Sequence, residues 1–319
     1  MNFIVIDLEW NQCPLGKENE VKEIPFEIIE IGAVKLNEHR EVIDEFHEYI
    51  NPQVYLEFHE KSKEVLHISM SDLKDASSFK VVAEHFLKWL GDDYVFCTWG
   101  PMDLEQLQRN LDYFKVSYEF AMPLKYYDIQ KLFRMLIQPN EIVKTLEYAV
   151  DYFGIPKQEQ FHTAICDARY TARVFHKLNL EKGLRYYSID YYHHPLSKAE
   201  EIYAKYDFYC KYISREFDTK AEAFLDKNIR EMVCFHCGRK ATKRIKWHAI
   251  NQKQYLCVAH CKKHGFLKGK VRIKKTANNK VFVVKTVKSI SKEEADAIFD
   301  RLHEIAKKKK EKKRLKKGD

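Results

Sequence analysis

Nowhere do about 18 or more apolar residues follow one another, the length a membrane-crossing helix requires, so no membrane partner is expected. The opening FIVIDLEW has neither a basic lead-in nor a small-residue cleavage site. No secretory leader is expected, and the chain reads as a cytoplasmic protein. Internal repeats are also lacking. Acidic residues are scarce at one end only. From Arg230 to Asp319 there are 8 Asp and Glu against 28 Lys and Arg, a net charge of +20, whereas the preceding 229 residues carry 39 acids against 27 bases, a net of −12. With 45 % hydrophobic residues among 319, the composition excludes a disordered chain and allows one sizeable domain plus a smaller one. An acidic front and a basic back suit an enzyme that acts on a polyanion. A purely solubilising basic tail is the alternative.

Local patterns divide the front half. Phe3 to Ile6 is a short apolar run ending in Asp7 and predicts a buried strand. Glu27 to Leu36 and Val42 to Ile50 predict two more, the last stopped by Asn51-Pro52, which together suggest an antiparallel meander. A helix capped by Ser78 runs to Leu90, with Val81, Val82, Phe86, Trp89 and Leu90 proposed for one face. Tyr94 to Thr98 reads as a strand, followed by a helix with Pro101 in its first turn. Further helices are expected from Ile129 to Leu136 behind Asp128, from Thr145 to Gly154, and from His162 to Leu178. This order predicts a mixed α/β layered domain over residues 1–180. Residues 181–229 are rich in Tyr, Lys and Glu and are expected to be a helical connector. Residues 230–290 form a basic cysteine-bearing module with short β-type runs. Residues 291–319 form a Lys-rich helix and tail, started by a capping box of Ser291 and Glu294.

Asp7 and Glu9 are two apart at the expected strand end, which points both side chains to one face. Paired carboxylates suit hard Mg²⁺ or Mn²⁺, which take oxygen ligands and leave positions open for water and phosphate. Asp103 stands in the first turn of a helix after TWGPM, and His162 and Asp167 are five apart in HTAICDA. Taken singly, each has an ordinary explanation: a polar strand end, a helix-dipole acid, a surface histidine. In order and spacing, DLEW, WGPMD and HTAICDA resemble the three motifs of the DEDDh exonucleases, within the DnaQ-like and RNase T-like superfamily. The strand EIIEIGAVKL resembles the same pattern. Thr98-Trp99-Gly100, the LHIS stretch at 66–69 and PFEIIEIGAV are most similar to the branch holding the KapD sporulation inhibitor and the histone-mRNA exonucleases.

The resemblance covers about residues 1–180 and implies an RNase H-like mixed sheet flanked by helices. It implies a 3′→5′ exonuclease acting on single-stranded RNA or DNA 3′ ends and releasing 5′-mononucleotides, with RNA favoured. Two Mg²⁺ or Mn²⁺ ions about 3.5–4 Å apart would clamp the attacking and leaving oxygens. On this pattern Asp7 bridges both ions, Glu9 and Asp167 complete the first ion's shell, and Asp103 serves the second. His162 is the general base, its ordinary pKa of about 6.5 suiting proton transfer near neutrality. Leu8, Trp10, Ile68 and Ser69 occupy places that hold the terminal nucleoside in such enzymes. A single-stranded DNA exonuclease and a non-catalytic nucleic-acid adaptor are the alternatives. The adaptor is disfavoured because all five motif positions are filled.

Of eight cysteines, those at 13, 97, 166 and 210 are scattered, while Cys234, Cys237, Cys257 and Cys261 form C-x₂-C-x₁₉-C-x₃-C. Two close pairs predict one tetrahedral structural Zn²⁺, with Gly238 suiting a knuckle turn. His236, His260 or His264 could replace one thiolate. Lys243, Arg244, Lys246, Lys262, Lys263, Lys268, Lys270, Arg272, Lys274 and Lys275 surround the cluster. Interleaved with Trp247, Tyr255 and Phe266, they suggest contact with phosphates and bases.

Overall fold

A computed structural model describes residues 1–66, 68–139 and 142–315. His67 of the LHIS stretch and residues 316–319 of the Lys-rich tail therefore lie outside the described residues. The chain divides into two units, Met1–Tyr192 and His193–Asp319. Among the described residues, no helix is long and apolar enough to cross a membrane.

The first unit is built on a seven-stranded sheet. Its strands are β1 (Asn2–Gln12), β2 (Phe26–Leu36), β3 (Val42–Asn51), β4 (Ser77–Ser78), β5 (Tyr94–Thr98), β6 (Lys125–Asp128) and β7 (Ser188–Ile189), in the order β4-β3-β2-β1-β5-β6-β7. β1, β2 and β3 form the expected antiparallel meander, while β5 joins β1 in parallel and β6 joins β5 in parallel. Helices α1 (Phe79–Leu90), α2 (Met102–Tyr113), α3 (Ile129–Leu136), α4 (Leu146–Tyr152) and α5 (Ala164–Lys177) flank this mixed sheet.

Alternation along β1 sorts its two faces. Ile4, Ile6 and Leu8 enter one core cluster with Phe79, Val82, Ala83 and Phe86 of α1 and Leu104, Leu107 and Leu111 of α2. The opposite face meets α5, where the Phe3 and Phe175 rings lie 5.2 Å apart edge to face. Val81, proposed for the inner face of α1, is exposed. Its place is taken by Ala83, which fits the 3.6-residue period better. Asp128 and Thr145 cap α3 and α4, accepting from Lys131 N (2.8 Å) and Tyr148 N (3.2 Å).

Two boundaries differ from expectation. β1 does not stop at the acids. It runs to Gln12 because β2 pairs with it along its whole length, through a register shift at Glu9/Trp10. On its other edge the parallel ladder with β5 ends at Val5↔Cys97, so there Asp7 does stand just past a strand end. The last helix of the unit begins at Ala164, not His162. His162 has φ 67°, a left-handed conformation that cannot continue into a right-handed helix.

β2 comes against the start of α5 at Gly32. A Cβ there would lie 2.1 Å from Ile165 N and 2.2 Å from the Ala164 carbonyl carbon, so only glycine permits this approach. Gly32 is also the residue paired with Asp7.

The second unit holds a six-stranded antiparallel sheet in the order β10-β11-β12-β13-β9-β8. Its strands are β8 (Ile202–Lys205), β9 (Tyr209–Ile213), β10 (Thr242–Ala249), β11 (Gln254–Cys261), β12 (Gly265–Lys275) and β13 (Val281–Ile290). The expected helical connector over 181–229 is thus corrected. Only short helices occur there, and β8 and β9 form a hairpin that joins the sheet through β13. Tyrosine and isoleucine favour strands, and the segment has no 3.6-residue apolar stripe to make it helical. α6 (Lys292–Leu315) follows, with Ser291 Oγ accepting from Glu294 N at 3.1 Å.

Candidate active site and metal centre

The motif residues of the first unit converge from three elements. Asp7 and Glu9 project from β1, Asp103 from the first turn of α2, and Asp167 from the first turn of α5. Ligating atoms of Glu9, His162 and Asp167 all lie within 4.8 Å of one another. His162 is exposed, and its backbone N–H donates to Asp167 Oδ2 at 3.3 Å. Asp103 is buried and receives the backbone N–H of Leu8 and its own N–H.

Crowding shapes the electrostatics. Enclosure by protein, followed by the charges of Asp103, Asp167, Glu9 and Glu30, holds the Asp7 carboxyl well above the carboxylate range. Burial first and Glu30 second push Glu9 up to about 8. Burial raises Asp103 to about 7 and Asp167 to about 6, although the N–H of His162 pulls Asp167 the other way. Asp167 Oδ1 is buried with no hydrogen-bond partner among the described residues. Acids that disfavour their own ionisation and leave a lone pair unmet fit one kind of occupant, a divalent cation taking oxygen ligands.

Glu30 is the member that motif reading missed. It stands on β2 directly opposite Glu9, is 1 % exposed, and accepts from or shares a proton with His47 Nε2 at 2.8 Å. A signal existed: a lone Glu inside the apolar run EIIEIGAVKL, which strand pairing sets beside the first motif. The four proposed nucleoside contacts fare differently. Leu8 is 3 % exposed and packs in the core, so its side chain forms no part of an open site and its contribution is the N–H on Asp103. Trp10 is half-buried against the same core, its ring 5.6 Å from Phe26. Ile68 packs on the Ile29, Phe58, Leu66 and Leu73 cluster. Ser69 is exposed but committed to a capping box with Asp72, its N–H and hydroxyl 2.8 and 2.7 Å from Asp72 Oδ2.

A second cluster lies in the second unit. Cys234, Cys237, Cys261 and His264 bring four ligating atoms within 4.8 Å of one another. Cys234 Sγ is 3.4 Å from His264 Nδ1, and Cys237 Sγ is 3.7 Å from Cys261 Sγ. Gly238, at φ 69°, donates to the Cys234 carbonyl at 2.7 Å and closes the expected knuckle. The backbone N–H of Lys263, aided by His264, draws the Cys261 thiol down to about 6, which favours the thiolate a metal needs. Cys257 is not in the set, a correction to the spacing argument. It and Cys261 sit on one extended strand, where four residues span roughly 13 Å. The Cys257 thiol instead donates to the Ile245 carbonyl at 3.0 Å, and burial pushes it up to about 11. His264, just beyond the turn after Cys261, supplies the fourth donor. Three sulfurs and one imidazole, with no fifth donor grouped with them among the described residues, fit a closed tetrahedral structural site.

Comparison with known proteins bears on the first unit. DNA polymerase III subunit epsilon of Rickettsia prowazekii is 27 % identical over 153 residues, 46 % of this chain and 64 % of that protein. The chain thus spans just under two thirds of the length of that curated relative. A nuclease domain described as 3'hExo, a DEDDh family member bound to rAMP, superposes with a TM-score of 0.49 at 20 % identity, covering 59 % of this chain and 96 % of that one. An Escherichia coli exonuclease I complex with single-stranded DNA gives 0.48 at 14 % identity, covering 81 % of this chain and 54 % of that one. The model of the RNase T family, described as exonuclease, matches residues 4–175, a span that takes in all three acidic motifs. The chain belongs to this exonuclease family, the DEDDh, DnaQ-like superfamily.

Proposed function

We propose that this protein is a 3′→5′ exonuclease that removes 5′-mononucleotides from single-stranded 3′ ends, with RNA favoured. The supporting observation is the convergence of Asp7, Glu9, Asp103 and Asp167, with Glu30 beside them, around one unsatisfied oxygen of Asp167, burial and neighbouring charge raising the pKa of those four. Asp7, Glu9, Asp103 and Asp167 would hold two Mg²⁺ or Mn²⁺ ions. When bound, such ions stabilise charge on both the attacking and the leaving oxygen of an in-line displacement. His162, exposed beside Asp167, takes the proton of the attacking water on its imidazole and passes it to solvent. The Leu8 N–H and the start of α2 keep Asp103 oriented and favour its charged form. In the second unit, Cys234, Cys237, Cys261 and His264 would hold one structural Zn²⁺, and the basic residues around them contact nucleic acid.

The preference for RNA rests on likeness to the KapD and histone-mRNA exonuclease branch. The name of the Rickettsia relative favours a second reading, single-stranded DNA. The test is a time course on 5′-labelled single- and double-stranded RNA and DNA with Mg²⁺ or Mn²⁺. Single-nucleotide ladders that shorten fastest on single-stranded RNA are expected. Equal or faster shortening of DNA overturns the RNA preference. No shortening of any substrate, or internal cuts, overturns the exonuclease reading and leaves the adaptor.

A further inference from the structure

We propose that Tyr170 positions His162 beside the acid cluster. It clamps the peptide of Glu159, so that residues 159–162 lie along α5 with the imidazole at the Asp167 end. This rests on the reading of His162 as the general base, and it assigns to that base the residue that holds it in place.

His162 does not hold itself. It is exposed, belongs to no helix or strand, and adopts φ 67°, which a non-glycine residue keeps only where its surroundings enforce it. Its own backbone bond to Asp167 Oδ2 is long, at 3.3 Å. The contacts that enforce the conformation begin three residues upstream. Tyr170 is 0 % exposed, and its hydroxyl accepts from Glu159 N at 2.9 Å and donates to the Glu159 carbonyl at 2.8 Å. One hydroxyl thus engages both the donor and the acceptor of a single residue. Phe161 then stacks on the Tyr170 ring, with centroids 4.5 Å and planes 14° apart. The Glu159 carboxylate completes the clamp, its Oε2 3.4 Å from Arg169 and its Oε1 bound by Arg173. Arg169 Nε also donates to Glu45 Oε1 on β3 at 3.0 Å, which ties the clamp to the sheet.

Helical spacing sets the placement. Asp167, Tyr170 and Arg173 recur at every third residue and so share one side of α5. Glu159 meets Tyr170 and Arg173, Phe161 meets Tyr170, and His162 meets Asp167. The segment therefore runs back along the helix, and each of its steps is fixed from α5 itself. Asp167 is carried by that same helix, whose start rests against Gly32. Acid and base are thus indexed to one rigid element, which keeps an imidazole nitrogen within 4.8 Å of carboxylate oxygens of Glu9 and Asp167. Proton transfer is sensitive to such placement, since a shift of about 1 Å can cost on the order of 10²-fold in rate. Fully buried, Tyr170 does not meet the substrate, and it acts through His162.

The experiment uses the full chain and Tyr170→Phe, which keeps the ring and its stack and removes only the hydroxyl. Amide exchange followed by NMR in EDTA should quicken by about tenfold at both Glu159 and His162, while the amides of α5 keep the parent's protection. In single-turnover cleavage of a labelled single-stranded oligonucleotide with Mn²⁺, the rate should fall by about tenfold with the half-saturating concentration unchanged. Added to His162→Ala, the same substitution should change the residual rate by less than about twofold. An additive loss there would mean that Tyr170 supports the fold and not the base, and it overturns the proposal. So does an unchanged His162 amide, or an unchanged rate, in Tyr170→Phe. Should Tyr170→Phe fail to fold, Arg173→Gln loosens the same clamp from its more exposed side and should move all three readouts in the same direction by less. If the unaltered chain cleaves nothing, the exonuclease reading falls, while exchange at His162 still decides whether Tyr170 places it.

Discussion

The two units solve opposite electrostatic problems with the same device, a strand whose alternation aims like charges to one side. In the first, β1 and β2 bring Asp7, Glu9 and Glu30 together, and two helix starts add Asp103 and Asp167, until burial and neighbouring charge disfavour ionisation of Asp7, Glu9, Asp103 and Asp167. In the second, β12 and β13 gather Lys268, Lys270, Arg272 and Lys288 on one face, with Glu294 3.6 Å from Lys288. The acids are enclosed and few, so they define a point; the bases are repeated along neighbouring strands, so they define a line. An enclosed point of negative charge suits a small, hard cation, and a line of positive charge suits a polyanion.

The contrast is broken most severely at the second unit's cysteines. Cys261→Ser should abolish the one tightly held metal ion and unfold the second unit, since structural zinc contributes on the order of 10 kcal/mol to such modules. Cys257→Ser should keep the ion. Elemental analysis of the purified variants with thermal melts decides between them, and loss of metal from Cys257→Ser would restore the four-cysteine set. Next in size, Asp7→Asn should lower divalent-dependent trimming by roughly 10³-fold in single-turnover assays. The same variant should melt higher than the parent in chelator at pH 8, because it removes one mutually repelling charge. A lower melting temperature would show that Asp7 is not strained by its neighbours. Smaller still, Glu30→Gln should weaken Mn²⁺ binding, read by calorimetry, by about 10–100-fold, the usual effect of a residue that orients ligands without being one. Unchanged Mn²⁺ affinity would reduce Glu30 to packing.

The gentlest probe is pH. Glu9, Asp103 and Asp167 have folded-state pKa values of about 8, 7 and 6, all above their ordinary values. The folded state therefore binds more protons than the unfolded chain, and the stability these groups contribute is lost as pH rises. In chelator the first unit should lose stability progressively from about pH 4 to pH 8. Saturating Mg²⁺ or Mn²⁺ should flatten the decline, and a rise in stability over that window would contradict the crowded-acid description.

Much of this was legible in the sequence where chemistry and periodicity coincide. The meander, the Val82, Phe86 and Leu90 part of the α1 stripe, and the capped starts of α3 and α4 follow from local pattern. The three acidic motifs came from resemblance to the exonuclease family in order and spacing. What was not legible depends on partners distant in sequence. Glu30 becomes a site residue only when β2 is laid against β1 in register. Cys257 was grouped with Cys261 because spacing counts residues, and a strand converts four residues into a separation no metal can bridge. Residues 202–213 carry too short a pattern to declare themselves a hairpin until β13 offers an edge.

Gly32 illustrates how a residue with nothing to donate can govern a reactive centre. It pairs with Asp7 and leaves only enough room for the first turn of α5 to rest backbone against backbone, which fixes where Asp167 emerges. In a saturation mutagenesis screen read by activity alone, position 32 should therefore score with the acids themselves, alanine included, and be mistaken for a reacting group. A parallel screen read by folding would tell the two apart, because a helix prised off its strand disturbs the whole layer, whereas an acid exchanged for its amide leaves the architecture standing.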